Sequence, residues 1–318
     1  MKTLNRREML GLAVSAAVLP AFTRPVTAQT TAGAGSTLRF FPGFKSARVK
    51  TSGAEINLVH AGSGPPLLLM HGAPQTHVSM RHLAADLSKD YTVIVPDLRG
   101  YGESSKPPGG ENHVNYSKRA MALDQVEVMK NFGFNTFAVV GHDRGGRVGH
   151  RMALDHADQV TRLCVLDIIP TYYLYTHVTI EFIQAYFHWF NYVRAAPAPE
   201  NDLLKQYQAR KASATNDVQL EYLRTSSDPA NIHAMCEDYR AGASIDLEHD
   251  QADLSKKVSC PLLTLWGLKG PMGRIYDVLT IWKDRGVTVT GKGLPGGHNL
   301  QEEIPAEVLA ELRPFLRG

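Results

Sequence analysis

The sequence predicts the α/β class: a mostly parallel, doubly wound sheet with a helical cap inserted into it. Three observations carry this. Short apolar runs rich in Val, Leu and Ile alternate with segments of helical period, the alternation stops after Pro170, and it resumes before the C-terminus. A chain of 318 residues with 43% hydrophobic and 20% charged content has apolar material for one large core and such an insertion.

In chain order, residues 44–51 and 54–60 alternate polar and apolar side chains, as half-buried antiparallel strands do. Residues 66–70, 91–96, 136–141, 161–167 and 262–266 are continuous apolar runs, expected of strands buried on both faces of a parallel sheet. Helical periods fill the gaps at 80–87, at 117–132 with Met121, Val126 and Met129 on one face, and at 144–156. From 171 to 246 the chain is aromatic-rich and helical, with breaks at Pro197, Pro199 and Pro229. A strand at 287–290 and a last helix at 306–316 complete the core. The expected organisation is therefore core 38–170, cap 171–246 and core 247–318, with ligand chemistry at the carboxyl ends of the strands. No internal repeat is present.

The N-terminus reads differently. Asn5-Arg6-Arg7-Glu8 leads into an apolar run, Met9 to Leu19, and then small residues before Gln29. Paired arginines and a short apolar stretch predict a twin-arginine export signal at 1–28, followed by a Thr/Ala/Gly-rich linker at 29–37, and hence a periplasmic protein. The stretch is too short to span a bilayer, so no stable membrane anchor is expected. Removing residues 1–28 takes four basic and one acidic residue from totals of 34 and 31, leaving 30 of each. A neutral mature chain gives no reason to expect a nucleic acid as partner. Cys164, Cys236 and Cys260 have no metal-ligand spacing and suit buried thiols, and no histidine cluster suggests a metal. No cofactor is expected.

Val139-Val140-Gly141-His142-Asp143-Arg144-Gly145 is a strand running into a tight turn and a helix, with the G-x-Nuc-x-G frame of a nucleophile elbow. Asp143 stands where such elbows usually place serine. A carboxylate is ionised at neutral pH without help and attacks saturated carbon, as alkyl halides and epoxides require. The ester it forms has a carbonyl that activated water can attack. The competing role for Asp143 is a helix N-cap. The loop His71-Gly72-Ala73-Pro74 follows the first buried strand, so the N–H groups of Ala73 and Arg144 are the candidate oxyanion donors. His298, in the loop Gly296-Gly297-His298-Asn299 after the last strand, is the candidate base. The segment after residue 266, Gly267-Leu268-Lys269-Gly270, holds no carboxylate. Asp167, ending the strand before the insertion, takes the role of the acid that orients the imidazole.

At this point the chain resembles the fluoroacetate (haloacetate) dehalogenases of the α/β-hydrolase superfamily, relatives of haloalkane dehalogenases and epoxide hydrolases. The likeness covers most of 40–318. It rests on His71 to His77, Asp97-Leu98-Arg99-Gly100-Tyr101-Gly102, Gly141 to His156 with Asp167 to Thr171, His188-Trp189, and Asp238-Tyr239-Arg240-Ala241. It implies an α/β-hydrolase fold, Asp143 as nucleophile, Asp167 as acid and His298 as base. It also implies Arg144 and Arg147 as binders of the substrate carboxylate, His188, Trp189 and Tyr239 as binders of the departing halide, and a homodimer. Physics agrees on the arginines: one helical turn apart at a helix N-terminus, they offset the repulsion between Asp143 and an anionic substrate. The alternative for either is a structural salt bridge, weighed more heavily for Arg147 than for Arg144. Ala73 and Met80 depart from the family pattern of bulkier residues, which implies a roomier pocket.

The expected function is hydrolysis of small 2-haloacids, with halogenated carboxylate and water as the small-molecule partners. The nearest rival is an epoxide hydrolase with the same Asp–His–acid machinery, for which tyrosines such as Tyr172, Tyr173, Tyr175, Tyr186, Tyr192 and Tyr239 are available. A non-catalytic homologue that senses small acids is the third reading; it would be marked by a lost nucleophile, acid or base.

Overall fold

A computed structural model describes residues 37–318. The expected export signal and all but the last residue of the linker lie outside the described residues. Eight strands form one sheet in the order β1-β2-β4-β3-β5-β6-β7-β8. They are β1 (Lys45–Lys50), β2 (Glu55–Ala61), β3 (Pro66–Met70), β4 (Thr92–Pro96), β5 (Phe137–His142), β6 (Val160–Leu166), β7 (Leu262–Gly267) and β8 (Val289–Leu294). β2 is antiparallel to β1 and β4, and the pairs from β4 onward are parallel.

Side chains of β3 show why the continuous apolar runs form its centre. Leu68 and Met70 point into one core with Met121, Val126, Val148 and Met152, while Leu67 and Leu69 point into a second core with Leu83, Leu87, Val308 and Leu312. Alternate residues therefore serve opposite faces of the sheet, and both faces are dry. The covering helices are α1 (Arg81–Leu87), α2 (Lys118–Asn131) and α3 (Arg144–Asp155). The hydroxyl of Ser117 caps α2 by accepting from the Ala120 N–H at 3.1 Å.

Two expectations about strands change. β2 was expected to be half-buried, but Ile56, Asn57, Leu58 and Val59 are all buried because β1 places it inside the sheet. β8 runs through Val289–Leu294 rather than 287–290. Its Gly291 and Gly293 weaken the strand signal, and pairing with β7 as far as Leu294 supplies what local propensity lacks.

Between β6 and β7 lie only helices: α4 (Thr171–Thr176), α5 (Ile180–Ala185), α6 (Phe187–Tyr192), α7 (Ala198–Lys211), α8 (Asp217–Ser226), α9 (Pro229–Gly242) and α10 (Ile245–Ala252). Pro199 and Pro229 fall in the first turns of α7 and α9, where a missing N–H costs nothing. After β7 come α11 (Pro271–Ile275) and α12 (Val278–Lys283), and after β8 come α13 (Leu300–Glu303) and α14 (Pro305–Arg317). Phe182, Tyr186, Trp189 and Tyr239 join the core cluster beneath the inserted helices, so aromatic packing ties them to the sheet. All three cysteines are buried and unbridged. Among the described residues no helix is long and apolar enough to cross a membrane.

Candidate active site

Asp143 links β5 to α3 with φ 44° and ψ −115°, a conformation that costs a non-glycine residue about 1–3 kcal/mol. The turn is held by packing. α3 lies so close to β3 that a Cβ on Gly145 would come 2.6 Å from the carbonyl oxygens of Met70 and His71. The carboxylate makes no capping bond to its own helix. Instead its Oδ2 accepts the Ala73 N–H at 3.1 Å. This excludes the N-cap role.

The Ala73 loop is shaped by buried polar groups. His71 donates from Nδ1 to the Gly72 carbonyl at 2.8 Å and accepts the Leu98 N–H at its Nε2 at 3.0 Å. Asp97 gathers His77, Asn57 and the Glu103 N–H. The shared motifs at 71–77 and 97–102 are thus joined into one scaffold behind Asp143.

His298 Nδ1 faces Asp167 Oδ2 at 2.6 Å, and the other oxygen of Asp167 accepts the Gly267 N–H at 2.8 Å. Asp167 is fully buried, with φ 52°. Asp167 therefore reaches across from β6 to the end of β7, whose backbone docks it beside a segment that holds no carboxylate of its own. With Nδ1–H committed to Asp167, Nε2 of His298 is free to accept a proton. His142 steadies the same loop. Burial and the neighbouring His298 hold its pKa down at about 3. The neutral ring donates from Nε2 to the His298 carbonyl at 2.9 Å and accepts from Gln301 Nε2 at 3.2 Å.

Charges at the site oppose desolvation. Burial pushes the Asp143 carboxyl up, but His298, His142, Arg144 and Arg147 together hold it below the usual carboxylate value. Burial pulls His298 down, but its hydrogen bond to Asp167 and the charge of Asp143 hold it above an ordinary histidine. Asp143 thus favours its ionised form, and His298 has a raised affinity for protons.

The two arginines differ. Arg144 is fully buried and its Nε and Nη2 meet the carboxylate of Asp238 at 2.8 and 3.0 Å, with Tyr239 stacked 4.1 Å from its guanidinium carbon. Among the described residues Arg147 has only neutral acceptors, the Ile169 carbonyl at 3.1 Å and the Thr171 hydroxyl at 3.0 Å, and its Nε is buried without a partner. A structural salt bridge falls on Arg144, although its Nη1, like the Nε of Arg147, is buried with no partner among the described residues. Asp238, which the sequence presented only as part of a motif, is the residue responsible. It also accepts from Tyr101 at 2.6 Å and from Lys118.

Asp143, His298, His188, Trp189 and Tyr239 all line one cleft of about 510 Å³, together with Ala73 and Tyr186. Trp189 meets Tyr239 edge to face at 5.5 Å, and His188 lies 6.0 Å from the same ring. Burial lowers His188 to about 4 and raises Tyr239, so both are neutral donors at physiological pH. In the sequence Tyr186 is one of twelve tyrosines. Among the described residues its hydroxyl is buried without a partner, and burial and then the charges of Asp167 and Asp143 raise its pKa. Among the described residues no group of three or more His, Cys, Asp or Glu is placed to hold a metal ion.

Comparison with known proteins agrees with this architecture. Residues 65–305 match the family model described as alpha/beta hydrolase fold. The chain is 44% identical over 288 residues to a fluoroacetate dehalogenase of Burkholderia sp., covering 87% of this chain and 95% of that protein. It is 32% identical over 274 residues to a soluble epoxide hydrolase of Corynebacterium sp. (strain C12), covering 81% and 92%. A solved structure from Nostoc sp. PCC 7120, provisionally described as an alpha/beta hydrolase, is 49% identical with a TM-score of 0.84, covering 87% of this chain and 99% of that one. Sheet order, an elbow between β5 and α3, and a family match running from β3 to the start of α14 have one conclusion: the chain belongs to the alpha/beta hydrolase family.

Proposed function

We propose that the protein is a hydrolytic dehalogenase of small 2-haloacids such as haloacetates, working through an ester on Asp143. The observation that carries this is a carboxylate at the elbow beside Arg147, a buried guanidinium without an acidic partner. An anionic substrate supplies that partner, and its α-carbon then faces Asp143. The fluoroacetate dehalogenase among the relatives supports the same substrate class.

In the first step Asp143 Oδ1 forms a bond to the α-carbon while the carbon–halogen electron pair leaves as halide. Oδ2 is held by Ala73, which leaves Oδ1 for the attack. The neutral N–H and O–H groups of His188, Trp189 and Tyr239 receive the halide. In the second step His298 Nε2 takes a proton from water, whose oxygen adds to the ester carbonyl carbon. The carbonyl oxygen is then Oδ2, so the same Ala73 N–H, with that of Arg144, meets the developing oxyanion. Collapse returns the proton from His298 to the departing hydroxy acid and releases Asp143, which ionises again. Asp167 holds the imidazole and balances its charge during this cycle.

The second reading, epoxide hydrolysis, is favoured by one observation: Tyr186 and Tyr239 both line the cleft with Asp143, and paired phenols protonate an opening epoxide. A neutral epoxide leaves Arg147 without a counter-ion, which ranks it second. Halide release from bromo-, chloro- and fluoroacetate, measured beside diol formation from styrene oxide, separates the two. Halide release that vanishes in Asp143→Ala is expected; diol formation with no halide from any 2-haloacid contradicts the proposal.

A further inference from the structure

The cleft in front of Asp143 is larger than a two-carbon acid needs. Its volume of about 510 Å³ lies inside the roughly 300–1,000 Å³ range of sites that enclose drug-sized ligands. Beyond the catalytic groups its lining is drawn from α6 and α7. There the wall is made by Phe187, Tyr192, Gln206, Tyr207 and Arg210. Among the described residues that line the cleft, Asp143 is the one carboxylate.

Arg210 lies in the last turn of α7, where the helix dipole favours a cation. Arg194 is paired with Asp202 at 2.6 Å, whereas among the described residues no acid lies within ion-pair distance of Arg210. Its charge acts on the hydroxyls of Tyr192 and Tyr207, offsetting part of what burial adds to their pKa values. The exposed guanidinium lines the same cleft as these two phenols, with exposed Gln206 as a further polar group. Such a wall has an aromatic middle and a cationic end.

We propose that this outer half is a second anion subsite, and that the substrate class is a 2-haloacid bearing a second anionic group, such as a halogenated dicarboxylate. The first carboxylate lies at Arg147, the spacer runs along Tyr192 and Tyr207, and the second carboxylate meets Arg210. This rests on the dehalogenase reading and names its substrate. Bond changes at Asp143 are those already given, since the second carboxylate takes no part in them.

The test compares kcat/KM for halide release from bromoacetate, 2-bromohexanoate and 2-bromoadipate, in the wild type and in Arg210→Glu and Arg210→Gln. The six-carbon acids have the same chain and differ in the terminal carboxylate. In the wild type, bromoadipate is turned over most efficiently. The adipate-to-hexanoate ratio falls about fivefold in Arg210→Gln and further in Arg210→Glu, as expected for one charge partly shielded by water. Added salt reduces the wild-type ratio in the same direction. Halide from bromoacetate with no preference for bromoadipate, or a ratio unmoved by Arg210→Glu, overturns the subsite alone. No halide from any of the three overturns the dehalogenase reading and the subsite with it.

Discussion

Arg144 and Asp238 form a doubly hydrogen-bonded ion pair sealed from solvent, with nitrogen–oxygen distances of 2.8 and 3.0 Å and neither side chain accessible. The pair joins α3, the helix after Asp143, to α9. It fixes Tyr239 at the cleft, since the ring stacks on the guanidinium. Removing Asp238 strands a buried cation, so Asp238→Ala should cost about 3–5 kcal/mol of folding stability. Urea unfolding checks this; a midpoint like that of the wild type contradicts it.

Arg147 should behave in the opposite way. Its guanidinium gives up only neutral acceptors when it turns to a substrate, so Arg147→Gln should fold normally and lose affinity for haloacids. The loss of a charge-assisted hydrogen bond is worth about 1.5–3 kcal/mol, or roughly ten- to a hundredfold in kcat/KM. Arg144→Gln should instead lower the urea midpoint. Steady-state kinetics and unfolding on the two variants separate the roles, and equal stability losses contradict them.

The contrast between these arginines shows where sequence reasoning stops. Their spacing placed both at a helix N-terminus beside Asp143, which is local geometry that a 3.6-residue period determines. Which one meets an acid depends on Asp238, 94 residues away in sequence, and no local pattern encodes that meeting. Asp167 was legible because an apolar strand ending in one carboxylate is unusual, and because its usual alternative after residue 266 held no acid. Its anchoring by the Gly267 N–H was not legible, since any residue but proline provides that donor. β5, α3 and the elbow were visible because buried parallel strands are continuous in apolarity. β8 was blurred by its glycines, and the cleft's outer wall was hidden because Gln206 and Arg210 look like an ordinary solvated helix face.

The proton affinity of His298 should change during the catalytic cycle. In the free enzyme Asp167 and the ionised Asp143 hold its pKa above the ordinary value of 6.5 despite burial. A raised pKa means that the protonated imidazole stabilises the fold below that ordinary value. This contribution is lost as pH rises through the folded pKa. Esterification removes the charge of Asp143, so His298 releases its proton more readily just when a base is needed. The inflection for single-turnover ester hydrolysis should therefore lie below that of His298 titrated by NMR in the free enzyme. Asp167→Asn should lower both. Coincident inflections, or an upward shift in Asp167→Asn, contradict the assignment.

In the proposed reaction Asp143 attacks covalently and hydrolysis of its ester needs His298. The most direct test is intact-protein mass spectrometry of His298→Asn after brief exposure to bromoacetate, with halide counted in parallel. The predicted result is one bromide released per enzyme molecule and a mass increase of one carboxymethyl group, located on Asp143 by peptide mapping. Continued bromide turnover with no added mass, or a label on another residue, would contradict it.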